Sequence, residues 1–140
     1  MKHVIRILPV IYMALIWFLS SMPADAVVEL PNIGLDRFIK EGLHLVEFGI
    51  LYALLFFAGL TFGGRFKPLW SFLFMGVACL WGLVDEIHQS FVPYRSATVI
   101  DFVKDTIGVL VASHFMHHAY FSGKFVWLGD RLRKFAAWMR

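Results

Sequence analysis

The sequence has a single cysteine, Cys79, so no disulfide can form within the chain. Because Cys79 sits in the middle of an apolar run, it carries no information about redox compartment. Charge is also scarce. Asp, Glu, Lys and Arg make up 16% of the residues, against roughly 25% in an ordinary soluble domain. No internal repeat or low-complexity segment is present. Thirteen Lys and Arg outnumber ten Asp and Glu, but they fall at the edges of apolar runs instead of forming a basic patch. That placement excludes a nucleic-acid binder and fits a membrane protein.

What remains is 59% hydrophobic and 17% aromatic. A membrane span needs roughly 20 mostly apolar residues, and four runs meet or nearly meet that length: Ile5–Met22, Leu43–Phe62, Leu69–Val92 and Thr98–Phe121. The first contains Pro9. With Lys2, Arg6 and Ala24-Asp25-Ala26 it also resembles a cleavable leader, but three further runs favour a retained first span. Pro, Asn and Gly breakers in Pro23–Gly42 mark the longest linker. The predicted fold is all-α, an integral membrane bundle of four transmembrane helices over residues 1–121. A basic amphipathic tail over 122–140 follows, with Phe125, Leu128, Leu132, Phe135 and Met139 at helical spacing and Gly129 weakening it.

Positive charge then orients the bundle. One side would hold Lys2, Arg6, Arg65, Lys67, Lys124, Arg131, Arg133, Lys134 and Arg140, nine in all; the other would hold Arg37, Lys40 and Arg95, three. Both termini are therefore expected in the cytoplasm.

Into these runs the chain inserts polar residues, each costing roughly 2.5–3.5 kcal/mol at the bilayer centre. Asp85, Glu86, His88 and Gln89 interrupt the third run, His44 and Glu47 the second, and Asp101, Lys104 and Asp105 the fourth. At about 1.5 Å per residue all lie in one layer near the outer ends. Spacings of three and four put Asp85, His88 and Gln89 on one helical face, with Glu86 about 100° away. Lys40, His44 and Glu47 form a second stripe. Asp101, Asp105, Gly108 and Ala112 form a third, whose small residues allow close helix approach. Lys104 can pair with Asp101 or Asp85. The stripes read as walls of a polar cleft between spans two, three and four. Glu47, Asp85, Glu86, Asp101 and Asp105 against Lys40, Arg95 and Lys104 leave a formal charge of −2. In a low-dielectric layer that excess needs protonated His44 and His88, a bound cation, or neutral acids. His114, His117 and His118, at the far end of the fourth run, read as interfacial.

The segment Asp85-Glu86-x-His88-Gln89-x-Phe91-x-Pro93-x-Arg95, followed by Asp101 and Gly108, resembles the signature of the VanZ-like family. Lys40-x-x-x-His44-x-x-Glu47-Phe48-Gly49 and Ser20-Ser21-Met22-Pro23 resemble it too. Tyr94 stands where the family usually has glycine, and Asp105 where it tends to have asparagine. The resemblance implies a small multi-pass protein of the bacterial cytoplasmic membrane and a cell-envelope setting linked to teicoplanin resistance; it leaves the chemistry open.

Three readings follow. In the first, the cleft binds a lipid-linked wall precursor or a glycopeptide among membrane lipids. Lys40, His44, Glu47, Glu86, Gln89, Arg95, Lys104 and Asp105 would contact the ligand, with arginine and lysine meeting phosphate or carboxylate. In the second, the protein is a hydrolase or transferase for a lipid phosphate, with Asp85, His88 and Asp101 as catalytic groups. A divalent metal on His44, Glu47, Asp85, His88 and Asp105 is a variant of that reading. The third is a proton-coupled transporter.

Overall fold

A computed structural model describes residues 2–22, 33–93, 95 and 97–139. The side chains of residues 33–41 and Gly64 lie outside what it describes, as do Tyr94 and residues 23–32. Among the described residues five α-helices follow one another: α1 Lys2–Ser20, α2 Ile33–Leu60, α3 Pro68–Gln89, α4 Val99–Phe121 and α5 Val126–Trp138. A 3-10 turn, Gly63–Arg65, joins α2 to α3. Among the described residues no strand occurs, so the fold is all-α.

Each boundary has a local cause. Pro68 opens α3 at a position where the missing N–H costs nothing. Thr98 caps α4 by accepting from the Asp101 amide at 3.2 Å. At the end of α2, Arg6 of α1 donates to Thr61 Oγ1 at 2.8 Å and to the Thr61 carbonyl at 3.1 Å. A cation there complements the negative end of the helix. One boundary differs from the sequence reading. The second half of the Pro23–Gly42 linker is helical, because α2 starts at Ile33. The breakers Pro31 and Asn32 lie before that point, and Lys40 and Glu41 are good helix formers.

α2 packs against α1, α3 and α4, and its Phe48, Leu51, Tyr52 and Phe56 are fully buried. Phe56 meets Phe66 edge-on at 5.0 Å and Tyr120 at 6.0 Å, a geometry aromatic rings favour. Large apolar side chains point outward from every helix of the bundle, among them Val10 and Phe18, Val46, Leu80, Ile87, Val103 and Leu110. Acids are buried while leucines are exposed, the reverse of a soluble fold. Three helical stretches, Lys2–Ser20, Gly42–Leu60 and Pro68–Gln89, are long and apolar enough to cross a membrane. α4 has 23 residues but carries Asp101, Lys104 and Asp105 near its start and three histidines near its end.

The tightest contact joins α2 to α4. A Cβ on Gly108 would run into the Leu45 carbonyl, and one on Gly49 would sit 3.2 Å from the Gly108 carbonyl. The expected small-residue stripe on α4 is therefore a backbone-to-backbone seam. Gly129, read from the sequence as a weak point of the tail, is buried where a Cβ would meet the Ala119 carbonyl, so it lets α5 rest on α4.

Gly108→Ala is expected to destabilise the protein by about 1–3 kcal/mol, since a helical backbone cannot yield locally. Gly76→Ala, where nothing lies within 4 Å of the added carbon, should be neutral or mildly stabilising. Thermal unfolding of both in detergent tests the contrast.

Candidate functional site

Where α3 ends and α4 begins, the bundle buries charge. Asp85 and Asp105 are 1% exposed, Gln89 4% and Glu86 7%. Such side chains are rarely this buried without partners. Here α2, α3 and α4 each contribute one member of a group: His44, Glu86 and Asp105 have nitrogen or oxygen atoms all within 4.8 Å of one another. His44 Nδ1 is 3.6 Å from Asp105 Oδ1, an ion-pair separation too long for a hydrogen bond. Among the described residues this is the one such convergence of His, Cys and acids.

Most of its acceptors lack donors. Asp85 Oδ1, both oxygens of Glu86 and both of Asp105 are buried without a hydrogen-bond partner, as are His44 Nδ1 and the indole Nε1 of Trp81. Each orphan costs about 1–3 kcal/mol, more when charged. Five carboxylate oxygens and an imidazole nitrogen left open in one region make a poor structural network and mark a place for chemistry.

The remaining predicted residues are arranged around this group. Gln89 donates to Asp85 Oδ2 at 2.6 Å, and Arg95 donates to Gln89 Oε1 at 3.3 Å. Arg95 also donates to the carbonyls of Met22 and Leu19, both at 2.9 Å. Its guanidinium thus supplies the Met22 carbonyl just past α1 and adds a second donor to the Leu19 carbonyl, which also accepts from the Met22 amide at 3.2 Å, and this makes it a clamp. Three of its five N–H donors are engaged in this way. Asp101 accepts from Thr98 Oγ1 at 2.6 Å and from Lys104 Nζ at 3.2 Å. Lys104 therefore pairs with Asp101 instead of Asp85. Glu47 is half-buried one turn along α2 from His44. Lys40 lies on α2, but its side chain is outside the described residues.

His88 stands apart. Its ring stacks on Trp17 at 3.8 Å and its Nε2 lies 2.9 Å from Ser21 Oγ. It therefore faces α1, although three-residue spacing puts it beside Asp85. Glu86, expected off that face, turns inward. α3 is packed by α1, α2 and α4, so its covered arc is wider than one stripe. The catalytic candidates Asp85, His88 and Asp101 share no hydrogen bond with one another among the described residues. Of the metal candidates, His44 and Asp105 converge, Glu86 joins them, and Glu47, Asp85 and His88 lie outside the group. Trp81, one turn before Asp85, was not read as part of the site; its i−4 position was the available signal.

The other histidines have their own partners. His117 Nδ1 is 3.0 Å from Ser71 Oγ, which is 2.6 Å from the buried Tyr52 hydroxyl. His118 Nδ1 is 3.1 Å from Ser122 Oγ. With His114 they border a groove of about 510 Å³ between α3 and α4 at the opposite end of the bundle.

Arg95→Ala should cost about 2–4 kcal/mol, since it removes three charge-assisted hydrogen bonds and takes this donor from the Met22 carbonyl. Arg95→Lys should recover little, because a point charge cannot reach three acceptors. Thermal unfolding and faster amide exchange at residues 19–22 check this. Unchanged stability with only a binding defect would return Arg95 to the anion-binding role.

With the geometry in hand, comparison with known proteins adds one positive finding. A family model described as VanZ/LLP1 matches residues 5–120. No curated protein and no solved structure matches the chain.

Proposed function

The chain belongs to the VanZ/LLP1 family, and we propose that it is a cell-envelope membrane protein whose buried acidic layer binds the polar head of a lipid-linked or glycopeptide-type ligand. The observation that carries this reading is the set of donor-free carboxylate oxygens on Asp85, Glu86 and Asp105. An acceptor-rich site calls for hydroxyl or amine donors, or for a cation, in its partner. Sugar hydroxyls and amines offer such donors. A bare phosphate would need a cation between it and the acids, because the described guanidinium nearby is held by carbonyls. Trp17 and Trp81, 6.1 Å apart, offer apolar surface beside the layer.

In this reading α4 is the fourth span. Its outward Val103, Ile107, Leu110 and Val111 support that, and its charges face the bundle or pair with each other. Residues 1–121 form the membrane domain. The nine-to-three distribution of Lys and Arg supports an orientation with both termini in the cytoplasm and the acidic layer toward the outer leaflet. Residues 122–140 form a basic tail whose helix α5 lies at the inner interface, with Trp127 and Trp138 exposed and Arg131 over the Trp127 ring at 5.5 Å. Protection against a teicoplanin-like glycopeptide would follow from capturing it or its lipid-linked target.

In nanodiscs, tryptophan fluorescence should report saturable binding of a teicoplanin-type glycopeptide or of a polyprenyl-linked saccharide. Asp85→Asn should weaken it at least about 10-fold, equivalent to about 1.4 kcal/mol, with helicity unchanged. No binding of either probe would refute the reading. Release of phosphate from the lipid would replace it with the hydrolase. For orientation, an alkaline phosphatase domain fused after Arg140 should be inactive; activity there would invert the bundle.

A further inference from the structure

We propose that His44, Glu86 and Asp105 hold one divalent metal ion between α2, α3 and α4. The ion would be the cationic element through which the site engages an oxygen-bearing head group.

The argument starts from donor chemistry. The group offers one imidazole nitrogen and two carboxylates from three different helices, a mixed N/O set suited to zinc or manganese. Two ligands each about 2.1 Å from one ion are about 3–3.5 Å apart, and His44 Nδ1 and Asp105 Oδ1 are 3.6 Å apart. The 4.8 Å limit that contains all three atoms leaves only small side-chain rotations to close such a site. The second observation is independent of the clustering. Glu86 is 7% exposed and Asp105 1% exposed, and the two carboxylates are without hydrogen-bond partners. Buried acceptors with no donors are what a cation would satisfy. Charge agrees in sign and size, since ionised Glu86 and Asp105 beside a neutral His44 carry −2, which one divalent ion balances. His44 is the more exposed ligand, its side chain 22% accessible, and it supplies the side from which an ion or a head-group oxygen could enter.

The ligand assigned to the ion rests on the binding reading above; the ion itself does not, so it is measured with no lipid or glycopeptide added. The full chain in detergent is stripped with chelator, dialysed against Zn²⁺ or Mn²⁺ alone, and assayed for bound metal and for thermal unfolding. The expected result is one ion per chain with a raised unfolding temperature. Glu86→Gln and His44→Phe should each lower affinity at least about 10-fold while helicity is retained. His117→Ala, at the opposite end, should bind as the unaltered protein does. Absence of stoichiometric metal would overturn the proposal. So would binding that survives Glu86→Gln but is lost in His117→Ala. Head-group binding that persists in chelator would leave the binding reading standing without the ion. Metal without head-group binding would do the reverse.

Discussion

The seam between α2 and α4 is the constraint on which the rest of the structure depends. Gly108 lies against the Leu45 carbonyl with no room for a side chain. At that distance Asp105, one turn before Gly108, is brought against His44, the neighbour of Leu45. A larger residue in the seam would separate them and open the layer that Glu86 closes from α3. The same proximity carries the stability of the core below, where Phe48 and Val109 are fully buried. Packing and site are therefore one feature, since side chains without volume provide close contact in a membrane and bring polar groups within reach of each other.

A second device ties the site to the C-terminal end of α1. Arg95 reaches back to the Leu19 and Met22 carbonyls and forward to Gln89, which holds Asp85. His88 reaches α1 as well, through Trp17 and Ser21. The polar signature therefore divides its labour. Arg95, Gln89 and His88 hold elements in place, while Glu86 and Asp105 remain without donors. Asp85 stands between the two sets, with one oxygen held and the other not.

Burying acids while exposing leucines is unfavourable in water and reasonable in lipid, where backbone groups are satisfied within helices and polar side chains turn inward. α4 shows the compromise. Its Asp101 and Lys104 pair with each other one turn apart, while its outward face remains apolar.

The sequence by itself determined the class of molecule: apolar runs of spanning length, nearly all-helical, with breakers between them and polar residues gathered at one depth. It also placed α1, α3 and α4 close to their observed limits, and the Gly108 stripe on the face that packs. All of this follows from run length and helical period, which are local. The start of α2 was less legible, because helix formers after Pro31 and Asn32 are polar enough to read as a loop. Which polar residues meet was decided only by tertiary structure. Periodicity tells which residues share a face on one helix, but not how that helix is rotated against its neighbours. So Glu86 joins His44 and Asp105, His88 turns to Trp17, and Arg95 bonds to carbonyls more than 70 residues away in the chain. Those outcomes depend on the seam and on which arc of α3 its three neighbours cover, and both are properties of packing among helices rather than of any single one.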